Sequence, residues 1–241
     1  MKAGGDKLIS ALNWLTAFLV LAGLYMALVF APAAANLETE TERLAQRIMY
    51  FHIGAAWVGF FAFFVTFAAG IIYLARRERF WDVVGLASVE IGALFLTMVL
   101  ITGSLWARPT WNTWWTWDPR LTISAVAWLL YVACLILRGA VDDPARRARF
   151  GAVFGIVAFI TVPLNFMAIR WWRTIHPLVV GGGGAGAVGG FALSPRMAVA
   201  LLFCIVAFSF VYLTLLVHRA RLEWAADEVR RLRQSLFQRG E

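Results

Sequence analysis

Long apolar stretches alternate with short charged ones along the whole chain. Six runs are free of charge, at 8–31, 48–75, 83–107, 121–137, 150–169 and 197–217, the third interrupted only by Glu90. A helix needs about 20 apolar residues to cross a bilayer, within a range of roughly 17–25. Each run therefore predicts one spanning helix, with 121–137 at the short limit. The connections are brief, so residues 1–241 read as a single six-helix membrane domain, an all-α integral membrane protein with six transmembrane helices. The first run ends in APAAAN at 31–36, which imitates a signal-peptide cleavage site. Its length of about 24 residues exceeds the usual 7–15 of a signal h-region, so it is expected to remain a span.

Composition agrees. The chain is 61% hydrophobic and 15% charged, against roughly 45–50% and about 25% in soluble domains. With the amino terminus inside, the inner segments carry fifteen Lys and Arg, and the outer loops carry seven. The positive-inside rule then places the N and C termini in the cytoplasm. This asymmetry accounts for most of the net charge of +8, and no nucleic acid is needed to explain it. Cys134 and Cys204 lie inside spans at different depths and are expected to be unpaired core residues.

The candidate chemistry lies on the outer side. WARPTWNTWWTWDPRLT at 106–122 places five of the twelve tryptophans within twelve residues, in an expected loop at 106–120. Seven tryptophans (Trp106, Trp111, Trp114, Trp115, Trp117, Trp171 and Trp172) fall outside, against Trp81 and Trp224 inside, whereas an aromatic belt would be shared between both interfaces. A tryptophan plate edged by arginine suits a large, flat, apolar ligand with acidic groups, and haem is such a ligand. Of the three histidines, His52 near the outer end of the second span and His176 in the last outer loop share this side. Two imidazoles from different segments can clamp iron from both faces. His218 sits at the inner end of the last span beside Arg219 and reads as an interfacial residue. Arg47 and Arg120 are best placed to pair with propionates, with Arg108, Arg170 and Arg173 in competition. Lipid headgroups are the plainer partners for any of them. Asp118 before Pro119 reads first as a helix N-cap. No C-x-x-C-H occurs, so any haem is expected to be held non-covalently.

RIMYFHIGAAW at 47–57, TGSLWARPTWNTWWTWDPRLT at 102–122 and RWWRTIHP at 170–177 resemble the three marks of the cytochrome c maturation protein C family, also called haem exporter protein C. The tryptophan motif of that family is the WWD domain. The resemblance covers almost the whole chain. It implies haem held at the periplasmic face of the bacterial inner membrane, with His52 and His176 as iron ligands. The platform would be Trp111, Trp114, Trp115, Trp117 and Asp118, with Arg47 and Arg120 on the propionate side. It also implies partners: a periplasmic haem chaperone (maturation protein E) that receives the haem, a small single-span protein D, and ABC transporter subunits A and B. On this reading the chain is a haem-handling scaffold and not an enzyme. The alternative is a permease subunit of an ABC-type exporter that carries haem across the bilayer. That role wants polar groups along a mid-membrane path, where the spans offer only Glu90. Glu90 is expected to make a structural or partner contact.

Four departures from the family pattern stand out: Asn112 in place of glycine, Gly54 in place of proline, Pro177 after His176 in place of glutamine, and GGGGAGAVGG at 181–190. The tail at 219–238, with Leu222, Val229, Leu232 and Leu236 on one face, predicts an amphipathic helix against the inner leaflet or a partner subunit.

Overall fold

The computed structural model describes residues 3–34, 37, 39–176 and 193–239. In chain order these form α1 (Ala3–Tyr25, widening into a π-helical turn at Met26–Phe30), α2 (Glu40–Gln46), α3 (Ile48–Arg76), α4 (Arg79–Trp111), α5 (Pro119–Gly139), α6 (Pro144–Ala158), α7 (Thr161–Trp171) and α8 (Pro195–Arg239). Six helical stretches, Gly5–Phe30, Glu40–Arg76, Arg79–Trp111, Pro119–Gly139, Pro144–Trp171 and Pro195–Leu236, are long and apolar enough to cross a membrane. They match the six runs in number and order. Pro177 and the glycine-rich stretch at 181–190 lie outside the described residues.

Two boundaries differ from the pattern for identifiable reasons. The run at 150–169 is broken into α6 and α7 at Phe159–Ile160. Pro163 has no N–H to give to Phe159, and its ring crowds that carbonyl, so the chain cannot continue straight. The expected outer loop at 106–120 is much shorter, because α4 continues through Pro109 to Trp111. It stops at Asn112, whose φ of 53° is left-handed. Asparagine is one of the few residues besides glycine that adopts this conformation readily, so the helix can end there without strain.

α3 is the central helix. It packs against α4, α6 and α8, while α5 packs against α4, α6 and α7. The core between them holds Val58, Ala62, Phe63, Val89, Leu96, Ala127 and Tyr131, with the Phe63 and Tyr131 rings stacked at 3.5 Å. Large apolar side chains such as Trp14, Phe18 and Leu21 are exposed around the outside, as expected when hydrocarbon is the solvent. Gly54 lets α8 approach α3: a Cβ there would lie 2.8 Å from the Phe208 ring. Gly54→Ala is expected to destabilise by about 1–3 kcal/mol through overpacking, read as a lower thermal unfolding temperature in detergent.

At one end of the bundle Arg221 of α8 pairs with Asp6 near the start of α1, at 2.9 Å. Several charges there are matched within the chain. Arg138 reaches the buried Asp82 at 2.5 Å, and Arg79 joins Asp82, Glu223 and Asp227. Arg219 holds Glu90 at 2.5 Å, so the partner of that intramembrane carboxylate comes from its own chain. α8 runs unbroken into the tail. Its charged face meets α4, and Leu222, Val229, Leu232 and Leu236 face outward. Cys134 and Cys204 are buried and free.

Candidate functional site

At the opposite end of the bundle a largely apolar cleft opens between α3, α4, α5 and α7, with about 820 Å³ of open space including its mouth to solvent. Its lining includes His52, Trp106, Trp111, Trp114, Trp115, Arg120, Asn165 and His176.

His52 projects from the second turn of α3 and is buried against α4. Its ring lies over Gly103, where a Cβ would sit 3.1 Å from His52 Cε1. Its Nδ1 is 3.0 Å from the Thr102 hydroxyl, and Trp106 meets the ring edge-on at 6.0 Å. His176 lies in the short segment that follows α7. The His52 and His176 ring centroids are 6.4 Å apart, with planes tilted by 33°. Two metal–imidazole bonds of about 2 Å, plus half a ring on each side, also come to about 6 Å. The spacing therefore accommodates one metal ion between the two rings.

Asp118 positions two elements at once. Its Oδ1 accepts from Leu121 N at 2.9 Å, capping α5, with Pro119 at the first helical position. Its Oδ2 accepts from Ile175 N at 3.1 Å and from the Thr174 hydroxyl. Thr174 Oγ1 in turn accepts from His176 N at 3.1 Å. The carboxylate thus ties the backbone that carries His176 to the start of α5. It does not line the cleft, and neither does Trp117, which is 76% exposed.

The two arginines separate. Arg120 lines the cleft and has no ion-pair partner among the described residues. Arg47 is directed elsewhere: its guanidinium donates to Ala27 O at 2.9 Å and to Ala31 O at 3.4 Å, satisfying carbonyls at the end of the first span. His218 lies at the far end of the bundle against Asn13, at 2.8 Å.

Several contributors were not singled out from the sequence. Thr102 and Gly103 shape the seat of His52. Asn165, 1% exposed, donates to Arg120 O at 3.2 Å and to Ser124 Oγ at 2.7 Å, bracing α5 on α7. The Asn165 Oδ1 and Trp115 Nε1 atoms are buried without a partner among the described residues. A lone amide in the otherwise apolar run at 150–169 was the available signal, since polar groups inside spans are costly unless used.

A polytopic helical membrane protein with a paired-imidazole, tryptophan-lined cleft at one end is the class that this fold and site define. Residues 2–235 match the family model described as heme exporter protein C, and the chain belongs to that family. It is 35% identical over 225 residues to heme exporter protein C of Bradyrhizobium diazoefficiens, covering 92% of this chain and 81% of the relative. Its identity to the Haemophilus influenzae protein of the same name is 29% over 225 residues, covering 93% and 88%. For the Rhodobacter capsulatus protein it is 28% over 233 residues, covering 92% and 90%.

Proposed function

We propose that this protein binds haem non-covalently at the periplasmic face of the bacterial inner membrane, between His52 and His176, and presents it to a periplasmic haem chaperone (maturation protein E) for cytochrome c biogenesis. The observation that carries this reading is the 6.4 Å separation of the two rings across an aromatic cleft. The names of the relatives, heme exporter proteins, support it independently. The donor set fits the group: two imidazoles suit iron, and Trp111, Trp114 and Trp115 offer flat apolar surface. Arg120, with no ion-pair partner among the described residues, is placed for a propionate. Haem itself supplies the vinyl group that the chaperone takes up.

The chain's own residues bind, orient and shield. His52 and His176 hold the iron, and the tryptophans exclude water from the macrocycle. Asp118 acts by holding the His176 segment. Arg47 acts by fixing the rim of the site through the end of the first span, and Trp117 extends the exposed edge where a chaperone docks. No side chain is required as acid, base or nucleophile; positioning is the contribution. The small single-span protein D and ABC transporter subunits A and B complete the assembly in this reading. Beneath the cleft the space between α3, α4 and α5 is filled by Val58, Phe63, Leu96 and Tyr131, which disfavours a permease path through the bundle.

Titrating the purified protein with haemin tests the reading directly: a low-spin bis-histidine visible spectrum is expected, and absence of binding with the chaperone present would overturn it. Arg120→Gln is expected to weaken haemin binding by about 10–150-fold, from loss of a charge-assisted bond of roughly 1.5–3 kcal/mol, without changing the ligand spectrum. Haemin esterified at its propionates should lose that discrimination between wild type and variant.

A further inference from the structure

The contact between His52 and Thr102 has a direction. Thr102 Oγ1 lies 2.7 Å from Met98 O, one turn earlier in α4, the back-bonded arrangement usual for threonine within helices. A hydroxyl has one proton to donate and two lone pairs to offer. With its proton directed at Met98 O, Thr102 meets His52 Nδ1, 3.0 Å away, as an acceptor. The imidazole must then carry its proton on Nδ1. Were the hydroxyl to donate to Nδ1 instead, the proton would sit on Nε2, and that nitrogen could not bind a metal. Gly103 supports the arrangement sterically, because the space a Cβ would need there is taken by the His52 ring, 3.1 Å away.

We propose that Thr102 is a positioning residue: its hydroxyl accepts the Nδ1–H of His52, fixing the tautomer whose unprotonated Nε2 is the iron ligand. This rests on the haem reading above. A hydrogen-bonded N–H on the far side of a ligating imidazole fixes ring orientation and raises the basicity of the metal-bound nitrogen. A more basic ligand favours ferric over ferrous iron, so Thr102 also holds the reduction potential of bound haem down. The residue belongs to the TGSLW segment that leads into the tryptophan motif.

The test has two arms. In the full-length, ligand-free protein labelled with ¹⁵N-histidine, NMR should show His52 as the neutral Nδ1–H tautomer, with its signal identified by its loss in His52→Ala. A neutral Nε2–H ring would overturn the proposal without bearing on haem binding. In the second arm, wild type, Thr102→Val and Thr102→Ser are titrated with haemin and their midpoint potentials measured. Thr102→Val should bind about 10–100-fold more weakly and show a raised potential, and Thr102→Ser should restore both. Wild-type behaviour in Thr102→Val, or failure of serine to rescue, would overturn it. If Thr102→Val does not fold, the NMR arm decides alone. Failure of wild type to bind haemin would strike the haem reading and leave the tautomer arm standing.

Discussion

His52→Ala and His176→Ala are each expected to abolish the bis-histidine haem spectrum of the purified protein, whereas His218→Ala leaves it unchanged. The two rings stand 6.4 Å apart, so removing either leaves iron with one protein ligand and shifts it to a high-spin or exchangeable state. The loss in affinity should exceed the roughly 10–100-fold typical of disturbing a group behind a metal ligand, because here the ligand itself is gone. His218 is the control for general effects of losing a histidine, since it contacts Asn13 at the other end of the bundle. Visible spectra of the three variants loaded with haemin, with and without added imidazole, decide the matter. Added imidazole should restore the low-spin spectrum in the first two. An unchanged spectrum in either, or a loss in His218→Ala, would refute the assignment of ligands.

Asp118→Asn is expected to impair haem binding about 10–100-fold while leaving thermal stability close to wild type. The carboxylate accepts three hydrogen bonds in two directions, one to cap α5 and two to hold Thr174 and Ile175. Asparagine is as good an N-cap as aspartate, so the cap survives. Its NH₂ group cannot accept from Ile175 N, however, so the segment carrying His176 is released. Asp118→Ala should lose the cap as well, at about 1 kcal/mol, with the same haem defect. The shared spectroscopic mark is loss of the His176 ligand with His52 retained. If Asp118→Asn keeps the wild-type spectrum and affinity, the aspartate has no part in placing His176.

The tryptophan motif thus joins two kinds of residue. Trp111, Trp114 and Trp115 line the cleft, while Asp118 lies outside it and accepts from Leu121 N, Ile175 N and the Thr174 hydroxyl. Their adjacency in sequence follows from α5 beginning where the cleft's wall ends. The end of α4 and the short loop after it supply the cleft's tryptophans, and the same loop starts the helix to which the His176 segment is tied.

Much of this protein was determined by its sequence alone. In a bilayer every backbone polar group must be satisfied within the segment, so charge-free runs of sufficient length become helices, and the six runs reappear as six spans. Asp118–Pro119 marks a helix start because capping is a local property of four or five residues. The break in the fifth span, by contrast, was not read from the run at 150–169, although its cause is equally local: the missing N–H of Pro163 acts within one turn. Which candidate residues meet was decided only by tertiary packing. His52 and His176 are far apart in sequence, and their spacing depends on how α3, α4 and α7 pack and on the Asp118 link between α5 and the His176 segment. Arg47 and Arg120 look equivalent by type and position, yet one is consumed by carbonyls of the first span and the other faces the cleft. Thr102 gains a role only because α4 sets its hydroxyl beside an imidazole from α3. Local energies act over a turn of chain and can be read along it; the direction of a side chain and the identity of its partner are settled by helices that the sequence places side by side only once the bundle has packed.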